Sequence, residues 1–346
     1  MLVTAEGLRK RGHRIYFSGR RRSYFLQRCA QAGFPILPLS IKGDFGPLNI
    51  LRLASFYKRH HIDVVVANFN KDVRLAGIAR KLTRNPLLVA RNGLPILQNN
   101  WRYRLTYRFL VDGIITNTRA IKNRYLTYGW LPEDFIKVIH NGIDVQQPVE
   151  FDKAEILRRY DLPANTKFVG IFGRLVKQKQ HHFFLEAAAQ IRKASPRVHF
   201  LIVGEGPLRP VLMKKVQELN LNECVHFLGL QTEVMPLYRI CNVVLLTSED
   251  EGLPNVVMEA MLASRPVVAF RVGGIEELIP DGTVGRTVAP NDIASLVKET
   301  VHFLQNEGLS RKTGERARQR IQEKFSIEKM IREVEEHLQS LLSRRK

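Results

Sequence analysis

The stretch SEDEGLPNVVMEAMLASRPVV, residues 248–268, decides the fold. One apolar run, Val243 to Leu246, leads into it, and another, Pro266 to Phe270, leaves it. Short continuous apolar runs bounded by turn residues predict strands buried on both faces of a sheet. Between them the acidic turn Glu249-Asp250-Glu251-Gly252 precedes a pattern that predicts a helix from Pro254 or Asn255, carrying Glu259. A strand, a tight glycine turn and a helix N-terminus gather unpaired backbone N–H groups at the carboxyl edge of a parallel sheet, a seat for a phosphate or a sugar ring. Glu251 sits on the turn, and Glu259 lies about one helical turn inside, facing the same crevice.

Working outward, the same alternation covers the second half of the chain. Strands are predicted at Phe168 to Phe172, His199 to Val203, Val225 to Leu228 and Gly285 to Val288, with helices at His182 to Ala194, Pro207 to Leu219, Thr232 to Ile240, Ile293 to Gln305 and Arg311 to Lys324. The first half repeats it: strands at Arg14 to Phe17, Ile36 to Leu39, Val64 to Ala67, Leu87 to Ala90 and Ile114 to Thr116, with helices at Met1 to Arg11, Asn49 to Arg59, Val73 to Leu82 and Ala120 to Tyr128. Strand and helix in turn predict parallel sheets covered on both faces. Asn141-Gly142 reads as a turn pair that tolerates positive φ. Residues 145–165, with Pro148 and Pro163, read as a hinge, and an amphipathic helix, Ser326 to Ser343, ends the chain.

Four motifs in one order carry a resemblance. Glu251 and Glu259 stand within EGLPNVVME; upstream lie Gly173-Arg174-Leu175 with Lys179, then Val203-Gly204-Glu205-Gly206-Pro207, and downstream Val272-Gly273-Gly274-Ile275-Glu276-Glu277. Together they resemble family 4 of the retaining glycosyltransferases, closely over residues 130–325 and loosely before. The resemblance implies an α/β, GT-B fold: two Rossmann-like, doubly wound parallel-sheet domains facing across a cleft. Its expected parts are an acceptor-binding domain at 1–148, a nucleotide-sugar-binding domain at 149–325 and a helix at 326–346 crossing back to the first domain. In that family a central first strand and a glycine-rich turn precede the helix read here at Met1 to Arg11. Neither stands in this sequence, so the first strand is expected to be missing, either because Met1 is internal to a longer reading frame or because the chain lacks the strand.

The resemblance also assigns roles. Arg174 and Lys179 would meet the leaving diphosphate, Arg as a bidentate fork and Lys as a point charge. Glu251 would bind hydroxyls of the donor sugar and Glu259 the ribose, with Gly173, Gly204, Gly206, Gly252 and the backbone of Leu253, Pro254, Asn255 and Val256 around the donor. Family members often carry a histidine after the strand at Leu87 to Ala90, whereas this chain has Arg91 and Asn92, neither a general base at neutral pH. Arg91, Asn92 and Asn68 are candidate acceptor or sugar contacts. No metal and no cofactor is expected, and the donor is expected to be UDP-linked.

Composition narrows the partners. The formal net charge is +21, and residues 1–148 hold 25 Lys and Arg against 8 Asp and Glu. Clusters at Arg9-Lys10-Arg11, Arg20-Arg21-Arg22 and Trp101-Arg102-Tyr103-Arg104 interleave cations with aromatic rings, which suits the headgroup layer of an anionic membrane. Nucleic acid would attract the same charge, but no nucleic-acid-binding signature accompanies it. Three isolated cysteines, Cys29, Cys224 and Cys241, predict buried thiols rather than a disulfide framework or a zinc site. No apolar run reaches the length of a membrane span and no secretory signal opens the chain. The expectation is therefore a glycosyltransferase on the cytoplasmic membrane's inner face, moving a hexose or N-acetylhexosamine onto a cell-surface glycan or glycolipid of lipopolysaccharide type. A catalytically impaired, sugar-nucleotide-binding homologue and a basic nucleic-acid-binding protein remain open.

Overall fold

The computed structural model describes residues 1–39, 46–83, 86–146 and 151–345. Pro148 and the expected boundary between 148 and 149 lie outside them, as does Lys346. The chain divides into two compact units, Met1–Gly142 with Ile327–Lys346, and Ile143–Ser326.

The strands of the first unit are β1 (Phe17–Arg20), β2 (Ile36–Leu39), β3 (Val64–Ala67), β4 (Leu87–Asn92), β5 (Gly113–Thr116) and β6 (Ile136–Val138). They form two parallel sheets, β1-β2 and β3-β4-β5-β6. Among the described residues no strand pairs the free edge of β1 or of β3, which is where the expected first strand would lie. Leu88, Val89, Ala90 and Ile114 are fully buried, the reason β4 and β5 read as unbroken apolar runs.

Several expectations shift here. The strand expected at Arg14 to Phe17 runs instead over Phe17–Arg20, because parallel pairing sets Phe17 opposite Ile36 and packs its ring edge-on to Phe34. A helix at Tyr24–Gln31, capped by Ser23 through the Leu26 N–H at 3.3 Å, has no counterpart in the sequence reading. The basic-aromatic cluster proves to be a helix, Trp101–Leu110, capped by Asn100. Asn141 and Gly142 adopt no positive φ; the Asn141 amide oxygen accepts from Arg91, and the Gly142 N–H donates to Met330 Sδ at 3.3 Å. The last helix, Ile327–Ser343, packs in this unit against the helix Leu2–Lys10. Gly7 permits that approach: a Cβ there would stand 2.1 Å from Ile331 Cδ1. Arg11 and His13 both reach Glu335 at 2.7 Å.

The second unit is one six-stranded parallel sheet of β7 (Lys167–Phe172), β8 (Val198–Val203), β9 (Val225–Gly229), β10 (Val243–Leu246), β11 (Val267–Phe270) and β12 (Arg286–Val288), in the order β12-β11-β10-β7-β8-β9. Each face carries its own apolar layer, one around Phe172, Tyr238 and Met258, the other around Phe184, Phe200 and Phe270. Burying a ring such as Phe168, Phe200 or Phe270, all fully buried, contributes about 2–3 kcal/mol each. The three cysteines are buried free thiols. Among the described residues no helix is long and apolar enough to cross a membrane.

Candidate functional site

The order of the second sheet dictates where a ligand can sit. The chain begins at β7, builds outward through β8 and β9, then crosses back to place β10 on the other side of β7. Loops leaving the carboxyl ends of β7 and β10 therefore diverge onto opposite faces, and the crevice between them is where such sheets bind ligands. Those loops hold Gly173 to Gln180 and Thr247 to Pro254.

The two loops are tied to each other. The Thr247 hydroxyl, fully buried, donates toward the carbonyls of Lys179 and Gln180 at 3.1 Å. The Glu249 N–H donates to the Gln178 carbonyl at 2.9 Å, and the Gln178 amide returns a bond to the Asp250 carbonyl at 2.8 Å. Across this frame Lys179 Nζ meets Glu251 Oε1 at 2.5 Å, the two side chains only 16% and 9% exposed. Glu251 is thus paired with a cation and caps no helix; the helix Asn255–Leu262 begins after Pro254 with no side-chain cap, leaving its first N–H groups open to a ligand.

Glycines let the neighbouring loops close in. Gly204, at φ +141°, lies so near the β7 loop that a Cβ would stand 2.0 Å from the Gly173 carbonyl oxygen, and one on Gly206 would stand 2.5 Å from that of Leu175. The Leu175 N–H donates to the Glu205 carbonyl at 3.0 Å, and the Leu208 N–H to that of Leu175 at 3.1 Å. After β11, Gly273 (φ +53°) presses on the Glu251 carbonyl, where a Cβ would stand at 1.7 Å, while the Gly274 N–H donates to Gly252 at 3.0 Å. All four sequence motifs therefore meet at one edge of one sheet. Arg174 is exposed beside them.

Glu259 lies half-buried on the same helix, Asn255–Leu262. Its carboxylate accepts from the Tyr238 hydroxyl at 2.8 Å, and the Tyr238 ring stacks on Phe172 with centroids 3.7 Å apart. Burial raises the Glu259 pKa and the Tyr238 bond pulls it back down; burial and the facing carboxylate push the tyrosine well above its usual range. His181, at the start of the helix His181–Ala194, is buried with neither ring nitrogen bonded among the described residues, and burial with Lys179 nearby holds its pKa down to about 4. It is neutral at pH 7.

Arg91 and Asn92, candidate residues of the first unit, have partners of their own within it. Arg91, at the end of β4, is half-buried, donates to Asn141 at 3.3 Å and has its pKa lowered by burial. Asn92 is buried and donates to the Tyr125 hydroxyl at 3.1 Å, which also accepts from the Leu97 N–H. Asn68 is half-buried after β3, two residues before the helix Asn70–Thr83 begins. Sequence reasoning missed Tyr238, Thr247 and Gln178. Tyr238 had a signal: a lone hydroxyl on the inward side of an otherwise apolar helix pattern needs a buried partner.

Comparison with known proteins identifies the family. Residues 152–320 match the family described as Glycosyl transferases group 1, and residues 1–147 match Glycosyltransferase Family 4. The lipopolysaccharide core biosynthesis glycosyltransferase LpsE of Rhizobium meliloti is 30% identical over 241 residues, 70% of this chain and 67% of that protein. The N-acetyl-alpha-D-glucosaminyl L-malate synthase of Bacillus anthracis is 30% identical over 204 residues, 59% of this chain, and the match spans about half, 53%, of that protein's length. The crystal structure of Anabaena HepE in complex with UDP superposes with a TM-score of 0.85 at 24% identity, covering 98% of this chain and 94% of that one, a likeness of fold. The chain belongs to glycosyltransferase family 4, with a second unit of the Glycosyl transferases group 1 type.

Proposed function

We propose that the chain is a retaining, metal-independent glycosyltransferase that takes a hexose or N-acetylhexosamine from a UDP-linked donor to a glycan or glycolipid of a cell-surface polysaccharide or lipopolysaccharide. The observation that carries this reading is the Lys179–Glu251 pair at the switch point of the second sheet, framed by glycines that bring four loops into backbone contact in two pairs. Cleavage of the anomeric C–O bond builds negative charge on the leaving diphosphate and positive charge on the sugar. Fixed cations aimed at the leaving oxygens lower that barrier most. Lys179 and Arg174 supply them, with the open N–H groups at the start of Asn255–Leu262. Glu251 accepts from sugar hydroxyls, and Glu259, held by Tyr238, accepts from the ribose. A UDP donor is supported by the HepE structures, which are described with UDP and with UDP-glucose. Because protein cations meet the diphosphate, chelating agents are expected to leave turnover unchanged.

The test is a screen of UDP- and GDP-sugars for saturable binding and slow nucleotide release, with Glu251→Ala as control. Binding that the substitution abolishes supports the reading; binding of no nucleotide sugar sinks it. Tyr238→Phe gives a finer prediction. Without the hydroxyl that lowers it, the Glu259 pKa rises further, so the acid limb of kcat/KM moves to higher pH. Loss of one charge-assisted bond, worth about 1–1.5 kcal/mol, weakens donor binding about 5–10-fold. Because the folded value lies above the unfolded one, protonated Glu259 adds to apo stability at acid pH, and that addition is lost as pH rises through the folded value.

The acceptor side of the proposal includes an anionic membrane. On the helix Trp101–Leu110, Tyr103 and Tyr107 face Asn70 at 3.1 Å, while Trp101, Leu105 and Phe109 are 68%, 47% and 59% exposed in one stripe. At about 100° per residue, Arg102 flanks that stripe on one side and Arg104 and Arg108 on the other. Apolar side chains edged by cations are the pattern of a helix lying in a lipid interface. Replacing Trp101, Leu105 and Phe109 by serine is expected to lower binding to phosphatidylglycerol vesicles more than tenfold in a co-sedimentation assay, with the folded state unchanged by circular dichroism.

A further inference from the structure

The helix Pro47–Arg59 of the first unit buries one face and turns the other to a groove. Ile50, Leu53, Ala54 and Tyr57 are buried, while Arg52, Ser55, Phe56 and Arg59 recur at the three- and four-residue spacing of a single stripe. That stripe, with Leu37 and Pro38 of β2, lines a cavity of about 420 Å³. Phe56 is fixed in place, its ring centroid 5.3 Å from that of Tyr16 and 4.2 Å from that of His60.

The polar side chains of this groove hold nothing in the fold. Arg52, Ser55 and Arg59 are exposed, and among the described residues none of them makes a hydrogen bond or an ion pair. No carboxylate lines the cavity, so two guanidinium ions share it uncompensated. Like charges repel, and an anion between them relieves the repulsion. Along the helix axis the two arginines stand about 10.5 Å apart with Ser55 between them, a span that two long side chains close by folding toward one another. A carboxylate offers two oxygens, enough for one guanidinium fork. A phosphate ester offers three on one centre and a diphosphate more, enough for both forks and for the Ser55 hydroxyl as well. Leu37, Pro38 and Phe56 exclude water from one side of such an anion, which strengthens its attraction to the cations, and give the organic part of an ester an apolar surface.

We propose that this groove is a binding site for a phosphate ester or a diphosphate: Arg52 and Arg59 each grip phosphate oxygens, Ser55 donates from between them, and the organic part of the ligand lies against Phe56, Leu37 and Pro38. A lipid headgroup and a free phosphate ester present the same chemistry to it. The site has its own cations, none of them shared with the seat around Lys179 and Glu251, so the inference is independent of the donor chemistry.

The test titrates pyrophosphate calorimetrically into the protein in about 0.15 M salt, with and without saturating UDP. The binding that UDP leaves in place is expected to weaken at least about tenfold in Arg52→Gln with Arg59→Gln. Arg52→Lys with Arg59→Lys, which keeps the charge and loses the forks, is expected to weaken it about threefold, and it carries the test should the glutamines disturb the helix in circular dichroism. Arg21→Gln with Arg22→Gln takes the same charge from the same unit and is expected to change it less than about twofold. Equal weakening by the two glutamine pairs, or none by either, overturns the proposal. A protein that binds UDP and no pyrophosphate beside it overturns this inference and leaves the donor reading standing; one that holds pyrophosphate through Arg52 and Arg59 and binds no nucleotide does the reverse. Glycerol 1-phosphate in solution and phosphatidic acid in phosphatidylcholine vesicles separate the two sources. The ligand for which the Arg52 and Arg59 glutamine pair loses affinity names the source, and no loss for either overturns the site.

Discussion

Lys179→Met is expected to lower glycosyl transfer by about 10²–10³-fold in kcat, the loss that follows removal of one preorganised donor to a developing oxyanion. The donor's KM should change far less, since the diphosphate gains most of its charge after the ground state. The same substitution strands Glu251, whose side chain is 9% exposed, beside a methionine. Leaving a nearly buried carboxylate without its cation costs about 2 kcal/mol of stability. A reduced rate could then be blamed on a damaged fold, so the pair needs the double substitution. Lys179→Met with Glu251→Gln removes both charges and is expected to recover stability to within about 1 kcal/mol of the parent while leaving kcat as low as in either single variant. Urea denaturation and single-turnover nucleotide release, measured on all four proteins, separate the two effects. Recovery of activity together with stability would show that Lys179 serves the fold alone.

How much of this was legible in the sequence differs between the two units for a physical reason. In the second, β10 and the helix Ile293–Gln305 have the bounds read from apolar periodicity, and β7, β8, β9 and β11 differ by a residue, because strands buried on both faces leave unbroken apolar runs. The motif glycines were legible as motifs but not as contacts: that Gly273 presses on Glu251, or Gly204 on Gly173, depends on strand order, which no local pattern encodes. In the first unit β1 has only one neighbour, so the shift from Arg14 to Phe17 as its start was invisible without β2. The helix Trp101–Leu110 was concealed because its exposed face carries Trp101, Leu105 and Phe109, which blurs the division of an amphipathic helix into wet and dry sides. The Glu259–Tyr238 bond joins residues 21 apart on two different helices, and only packing could reveal it.

Gly204→Ala is expected to be among the most damaging single-methyl changes in the second unit, beside Gly273→Ala, whose Cβ would stand 1.7 Å from the Glu251 carbonyl oxygen. At φ +141° an alanine is strained by about 1–3 kcal/mol wherever it sits. Here its Cβ would also stand 2.0 Å from the Gly173 carbonyl oxygen, a backbone atom that cannot rotate away. Either the β8 loop retreats, straining the bond from the Gly204 N–H to the Gly229 carbonyl at 2.8 Å, or the β7 loop moves, straining that from the Gly173 N–H to Val203 at 2.9 Å. A total near 3 kcal/mol lowers the melting temperature of a unit this size by about 6–12 °C. Because Arg174 follows Gly173, the second route also displaces the cation proposed to meet the leaving diphosphate, and a displacement of about 1 Å costs up to about 10²-fold in rate. Gly308→Ala is the matched control: no atom lies within 4 Å of its added Cβ, its φ is unstrained, and in the helix Glu307–Lys324 alanine is neutral or stabilising by up to about 1 kcal/mol. Calorimetry alone would register the strain; calorimetry and turnover together identify which loop gives way. A large fall in melting temperature with nearly normal kcat at low temperature would place the movement in the β8 loop, whereas a parallel fall in both would place it at Gly173 and make the contact between these two glycines part of how the diphosphate site is held in shape.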